Sequence, residues 1–132
     1  MQYEPGLSRA ALQDLAINKY FASVDRKDLE ATLDCFHDEA LLCTQTSFTR
    51  HAGKAAIRRM FVDFFESYNS IIHRDFTCTI DDLNGRIAAN FVAELKDAEG
   101  NTTLLHNTNF WRVRDDKFQE VYIYMSGANV LV

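Results

Sequence analysis

Four hydrogen-bonding side chains follow one another at His106, Asn107, Thr108 and Asn109, inside the stretch Leu104 to Val113, whose ends carry the β-branched and aromatic residues of a strand. Neighbours on a strand point to opposite faces, so some of these four must point into the fold. A polar group buried there is costly unless it is hydrogen-bonded, so either internal partners or a bound ligand must satisfy it. The other residues with metal or redox potential are less organised. His37, Asp38 and Glu39 are adjacent in sequence and so do not converge as metal ligands, and no second His or Cys spacing supports them. No metal and no cofactor are expected. His51 falls in a loop, and Cys35, Cys43 and Cys78 are odd in number, widely spaced and set in apolar patterns, which makes them small core residues.

The elements that must carry the polar stretch are legible from hydrophobic period. Ser8 is an N-cap with Leu7 before it, and Leu12, Leu15, Ala16, Tyr20 and Val24 form an apolar stripe of helical period. Asp28 caps a short second helix containing Leu29, Leu33 and Phe36, with His37, Asp38 and Glu39 at its end. Ala40 to Thr44 reads as a short strand leading into a polar loop from Gln45 to Ala52. From Lys54, Ile57, Phe61, Phe64, Phe65 and Tyr68 make one broad face of a third helix. The period then changes to 2, with Phe76, Cys78 and Ile80 alternating with threonines, so the second half is sheet. Asn84-Gly85 predicts a type I′ hairpin, Glu99-Gly100-Asn101 turns the next strand, and Arg114 to Lys117 turns the one after into Phe118 to Met125. Three helices and then an antiparallel meander predict an α+β fold in which helices cover one face of a curved sheet and enclose a pocket.

Composition narrows the partners. Residues 1–132, 47% hydrophobic and 12% aromatic, suffice for one compact domain, and no repeat or linker divides them. A net charge of -5, with no run of Lys or Arg, is opposite to what a phosphate-backbone binder needs, so no nucleic-acid partner is expected. No apolar run approaches the roughly 20 residues needed to span a bilayer, and Met1 to Pro5 lack a basic region followed by an apolar one. No membrane partner is expected, and a cytoplasmic location follows by default.

The segments from Tyr20 to Leu29, from Cys35 to Ala40 and from Gly53 to Ile57 carry a resemblance. In order and spacing they are similar to the NTF2-like superfamily of cone-shaped α+β barrels, which includes ketosteroid isomerases, scytalone dehydratase, SnoaL-like polyketide cyclases and nuclear transport factor 2. The same fold hosts unrelated activities and inert binding modules. The isomerase resemblance puts Tyr20 where those enzymes place an oxyanion-donating tyrosine and Asn109 where they place a donating carboxylic acid. It puts Thr44 where they have the catalytic aspartate, so the base is missing. The dehydratase resemblance supplies one: His73 at the start of the first meander strand, paired with His106, with Tyr20 as helper and Asp25 as a distant acid or, more simply, a helix-end cap. Histidine is suited to acid/base work near neutral pH. For the cyclases, the acid of the final strand is replaced in Val121-Tyr122-Ile123-Tyr124.

The isomerase register implies that odd positions of the polar stretch face inward. Asn107, Asn109 and Trp111 would then line the pocket with Thr44, Phe61, Val121, Ile123 and Met125, while His106 and Thr108 face out. By its own alternation His73 shares a polar outer face with Asp75, Thr77 and Thr79. Tyr122 and Tyr124 present an outward aromatic stripe, from which a homodimer through the outer sheet face is expected. These readings predict a small-molecule pocket: a cofactor-free isomerase or dehydratase acting on a partly hydrophobic carbonyl or hydroxy metabolite. The alternative is a non-catalytic ligand-binding or dimerisation module of the same fold. Polyketide cyclase ranks third, and a transport adaptor is a more distant reading.

Overall fold

The computed structural model describes residues 6–132, leaving Met1 to Pro5, and the reading made of them, outside the described residues. The N-terminal helix comes in three parts: α1 (Arg9–Asp14), a π-helical segment (Leu15–Phe21) and α2 (Ala22–Asp25). Ser8 caps it by accepting a hydrogen bond from the Ala11 N–H. In the π-helical segment the Ala22 N–H reaches back to the Ile17 carbonyl, five residues earlier, and the buried Ser23 hydroxyl donates to the Lys19 carbonyl. One extra residue per turn rotates everything that follows, and this wide turn delivers Tyr20 and Phe21 together to the core. A tight turn through Lys27, in a left-handed conformation, leads to α3 (Leu29–Leu33), which Asp28 caps by accepting from the Ala31 N–H.

The six strands are β1 (Phe36–Thr44), β2 (Thr49–Ala52), β3 (Ser70–Asp81), β4 (Arg86–Lys96), β5 (Thr102–Arg114) and β6 (Lys117–Tyr124), with α4 (Lys54–Ser67) between β2 and β3. They form one sheet in the order β2-β1-β6-β5-β4-β3, in which β3 to β6 make the meander and β1 runs parallel to β6. The expected α+β architecture is therefore present, with helices packed on one face of a curved sheet that does not close. Helix α4 buries Ile57, Met60, Phe61 and Phe64, and the interior residues of β4 and β5 are strictly alternate.

Three local expectations need correction. His37, Asp38 and Glu39 do not end a helix; they lie within β1, which begins at Phe36 because Phe36 pairs with Phe118 and the Phe118 N–H bonds the Cys35 carbonyl. The polar loop contains β2, an edge strand held by pairing to Leu41–Thr44 and not by any propensity of its own residues. The β3–β4 hairpin is not a two-residue turn: Asp81 pairs with Arg86, only Gly85 of the connecting residues has positive φ, and the Asn84 amide donates to the Asp81 carboxylate.

Candidate functional site

The wall of the site is β5. Its burial alternates from Leu105 through Asn107, Asn109, Trp111 and Val113, with His106 and Phe110 exposed between them. Asn107 and Asn109 are 6% and 2% exposed, and the Oδ1 atom of each has no hydrogen-bond partner among the described residues. Both amides lie on a partly open cavity of about 30 Å3 bordered by Tyr20 and Phe21 of the π-helical segment, Phe61 and Phe64 of α4, and the chain after β6. Two amide oxygens unpaired among the described residues on one largely apolar wall are groups that a hydrogen-bond donor entering the cavity could pair.

His73 lies on the same cavity, which its strand parity did not lead us to expect. The cause is a bulge. Arg74 pairs with Val92 and Thr77 with Asn90, so β3 carries one more residue than β4 across this interval, and Asp75 takes a left-handed conformation with φ of 59°. The insertion exchanges the faces of β3: Ile71 and His73 point inward before it, and Phe76, Cys78 and Ile80 after it. His73 is thus brought to the concave face without disturbing the alternation that made it look external.

There it meets Asp25, the last residue of α2. The His73 ring donates from Nδ1 to Asp25 Oδ1 at 2.6 Å, and its backbone N–H donates to Asp25 Oδ2 at 2.9 Å. Because a carboxylate accepts, the ring proton of neutral His73 sits on Nδ1 and the lone pair on Nε2, the arrangement of an oriented general base. Phe21 and Phe91, in contact with each other at 4.7 Å, pack together against the ring with centroids at 4.6 and 5.5 Å from it. Asp25, expected mainly as a helix-end cap, is therefore the hydrogen-bond partner of His73 that sequence reasoning undervalued. The available signal was that an acid ending the first helix and a histidine opening the meander both belonged to the dehydratase resemblance.

Tyr20 is 3% exposed and packs edge-on against Phe36, Phe61, Trp111 and Phe118. Burial, with lesser contributions from Cys35 and Asp25, pushes its hydroxyl far above the usual phenol range, so it stays a neutral donor at any physiological pH. Burial likewise raises the Cys35 thiol to about 11.

Not all the expected lining residues reach the cavity. Phe61, Ile123 and Met125 do. Thr44, Trp111 and Val121 are buried but lie off it: Trp111 pairs with Val121 in a row that Phe118 covers by stacking at 5.6 Å, so aromatic side chains fill that part of the interior. The Thr44 hydroxyl and Trp111 Nε1 are buried without partners among the described residues. His106 is on the exposed face and does not join His73, so the expected histidine pair is replaced by a histidine–aspartate pair. His37 donates to the Arg114 carbonyl and His51 to the Leu131 carbonyl. Among the described residues no carboxylate lines the cavity directly; Asp25 reaches it only through its bond to His73. Among the described residues no group of three or more His, Cys, Asp or Glu side chains converges to hold a metal ion, and no helix is long and apolar enough to cross a membrane.

Comparison with known proteins agrees with this architecture. Residues 17–121 match the family model described as SnoaL-like domain. Among solved structures, a candidate polyketide cyclase of Xanthomonas campestris shares 25% identity over 88% of this chain and 90% of its own, with a TM-score of 0.78. A candidate aromatic ring hydroxylase of Novosphingobium aromaticivorans shares 24% over 91% and 90%, also with a TM-score of 0.78. A candidate SnoaL-like polyketide cyclase of Shewanella denitrificans shares 11% over 89% and 92%, with a TM-score of 0.80. The latter two likenesses are of fold. No curated protein matches the chain at a significant level.

Proposed function

The chain belongs to the SnoaL-like domain family, within the NTF2-like superfamily, and from that premise we propose that residues 1–132 act as one domain that catalyses cofactor-free general acid/base chemistry on a small, partly hydrophobic carbonyl or hydroxy metabolite. The observation that carries this reading is the double hydrogen bond between His73 and Asp25, made at the wall of the cavity that also bears Tyr20, Asn107 and Asn109. A fixed tautomer gives His73 Nε2 a lone pair to accept a proton, and the Asp25 carboxylate stabilises the imidazolium that results. Tyr20 and Asn109 are the donors suited to a developing oxyanion, Tyr20 because it remains protonated and Asn109 because an amide needs no perturbed pKa to donate.

For a β-hydroxy carbonyl substrate the steps balance without a co-reactant. His73 Nε2 removes the α-proton, the C–H pair forms an enolate whose oxygen is held by Tyr20 and Asn109, and the enolate pair then forms the C=C bond as the C–O bond to the β-hydroxyl breaks. The imidazolium proton leaves with that hydroxyl as water. Isomerisation uses the first half of the same sequence, with the proton returned at another carbon. The relatives called polyketide cyclases lend that activity some support through fold, but among the described residues no carboxylate lines this cavity, so cyclisation stays third.

One observation favours a second reading, a non-catalytic ligand-binding or dimerisation module: among the described residues no carboxylate lines the cavity to serve as a base. The two are separated by screening aromatic hydroxy ketones for thermal stabilisation and then following loss of the α-proton signal of any hit in deuterated water by NMR. Exchange by the wild type, lost in His73→Gln while binding persists, supports catalysis; binding without exchange leaves the module. The outer face supports a homodimer in either case, since Phe110 and Tyr124 are 46% and 48% exposed and meet edge-to-face at 5.9 Å.

A further inference from the structure

After β6 ends at Tyr124, the chain leaves the sheet and runs from Met125 to Val132 without helix or strand. Its composition is divided: Ser126, Gly127, Ala128 and Asn129 are small or polar, and Val130, Leu131 and Val132 are apolar. Gly127 lies so close to β5 that a Cβ there would fall 2.8 Å from the Leu105 side chain. Beyond it the strap turns over the cavity, where Val130 and Leu131 form part of the wall and Leu131 is only 7% exposed.

What holds this strap differs from what holds the other walls. The sheet is joined by continuous ladders and α4 by a buried apolar face. The strap is tied through side chains. Ser126 accepts from the His106 N–H at 2.8 Å, and the Thr46 hydroxyl accepts from the Met125 N–H at 2.7 Å. Asn129 donates from Nδ2 to the Ser47 hydroxyl at 2.9 Å and accepts from the Leu131 N–H at 2.9 Å. His51 donates from Nε2 to the Leu131 carbonyl at 3.1 Å. The first two bonds fix the root of the strap, the Asn129–Ser47 and His51–Leu131 bonds fix its tip to the turn before β2 and to β2 itself, and the Leu131–Asn129 bond shapes the tip internally.

With the strap in place the cavity is about 30 Å3, too small for any molecule carrying a carbonyl and an apolar skeleton. Some wall must move if the two unpaired amides are to be reached. The segment with the fewest backbone hydrogen bonds opens at the lowest cost. We propose that the segment from Ser126 to Val132 is a lid that admits the ligand, that Leu131 occupies in the closed state the volume the ligand's apolar part takes, and that His51 and the Asn129–Ser47 pair are its latch. Leu131 is then a specificity-determining residue: its size sets how large an apolar group the site accepts. The inference rests on the reading that this cavity takes a small molecule, and is indifferent to whether His73 does chemistry on it.

The probe is 2-naphthol, whose hydroxyl can donate to an Asn oxygen and whose ring is apolar, followed by stopped-flow fluorescence with wild-type protein, His51→Ala, His51→Gln, Leu131→Ala and Asn109→Leu. His51 is on an edge strand and only partly buried, so its replacement leaves the core intact. Losing one latch bond should raise the association rate about fivefold in His51→Ala. His51→Gln, which keeps an N–H donor, should return toward the wild-type rate. Leu131→Ala should bind the probe about tenfold more tightly, through slower dissociation. Rates and affinities unchanged in His51→Ala and Leu131→Ala, with binding still abolished by Asn109→Leu, overturn the lid and leave the pocket. Binding indifferent to Asn109→Leu, or absent from every variant including Leu131→Ala, overturns the lid along with the pocket on which it rests.

Discussion

His73 and Asp25, 48 residues apart in sequence, are joined through both the ring and the backbone of the histidine to the two oxygens of one carboxylate. Because the backbone bond fixes where the carboxylate sits, the ring bond is made without a search for geometry. Asp25→Asn should keep the fold while offering the ring either a carbonyl or an amide N–H. Activity on any substrate found by the screen should fall about 10²–10⁴-fold, with a smaller change in KM. His73→Gln should cost at least as much, and the double variant little more than either alone, since the two act as a unit. Steady-state kinetics of the three variants test this.

Asn109 has an amide oxygen buried without a partner, so it should oppose stability where it serves binding. Asn109→Leu removes the unsatisfied group at similar volume. It should raise stability by about 1–2 kcal/mol, seen as a rise in Tm of several degrees, while abolishing ligand-induced stabilisation. A loss of both stability and binding would instead mean that the amide is satisfied internally.

Alkaline pH should unfold the chain through Cys35 and Tyr20. The folded state holds both protonated beyond their ordinary range, the thiol up to about 11. A group whose folded pKa is raised contributes fully below its unfolded pKa, and that contribution is lost as pH rises through the folded value. Stability measured by urea denaturation should therefore change little on account of these groups up to about pH 9. It should then fall on the order of 2 kcal/mol toward pH 11 for Cys35, with a further fall above pH 10 for Tyr20. Tyr20→Phe should remove the Tyr20 part of this slope and leave that of Cys35.

Asp75 adopts a backbone conformation that β-branched residues avoid. Asp75→Gly should be neutral or stabilising by up to about 1 kcal/mol, less whatever its exposed contact with Arg74 contributes. Asp75→Val should destabilise by about 1–2 kcal/mol and disturb the placing of His73. Thermal unfolding with the kinetic readout above distinguishes a merely weaker fold from a misplaced base.

The helix stripes, the meander and the inward face of β5 could all be read from period because each depends on burial that repeats along one element. Ser8 and Asp28 could be read as caps because capping is local. Strand β2 and the first half of β1 could not, since their polar residues become strands by pairing with neighbours distant in sequence. The site divided the same way. Asn107 and Asn109 followed from alternation, whereas His73 lay on the wrong parity until one extra residue in β3 reversed it. Asp25 had no local mark at all; its role exists only where the end of α2 meets β3. Trp111 and Val121 were inward as alternation requires, but whether an inward residue meets space or another side chain depends on what packs from the opposite layer, here Tyr20 and Phe118.

The bulge at Asp75 makes chain length, as well as residue identity, a determinant of chemistry in this architecture. Excising a single residue there would restore continuous pairing between β3 and β4, and His73 would turn from the concave to the convex side while the apolar strand residues beyond it kept their places. On the proposed reading the pocket and its amides would survive, but with no base. With His73 as the proposed base, one insertion or deletion would separate a reactive from an inert version of the same container, a route that comparing aligned site residues alone would overlook.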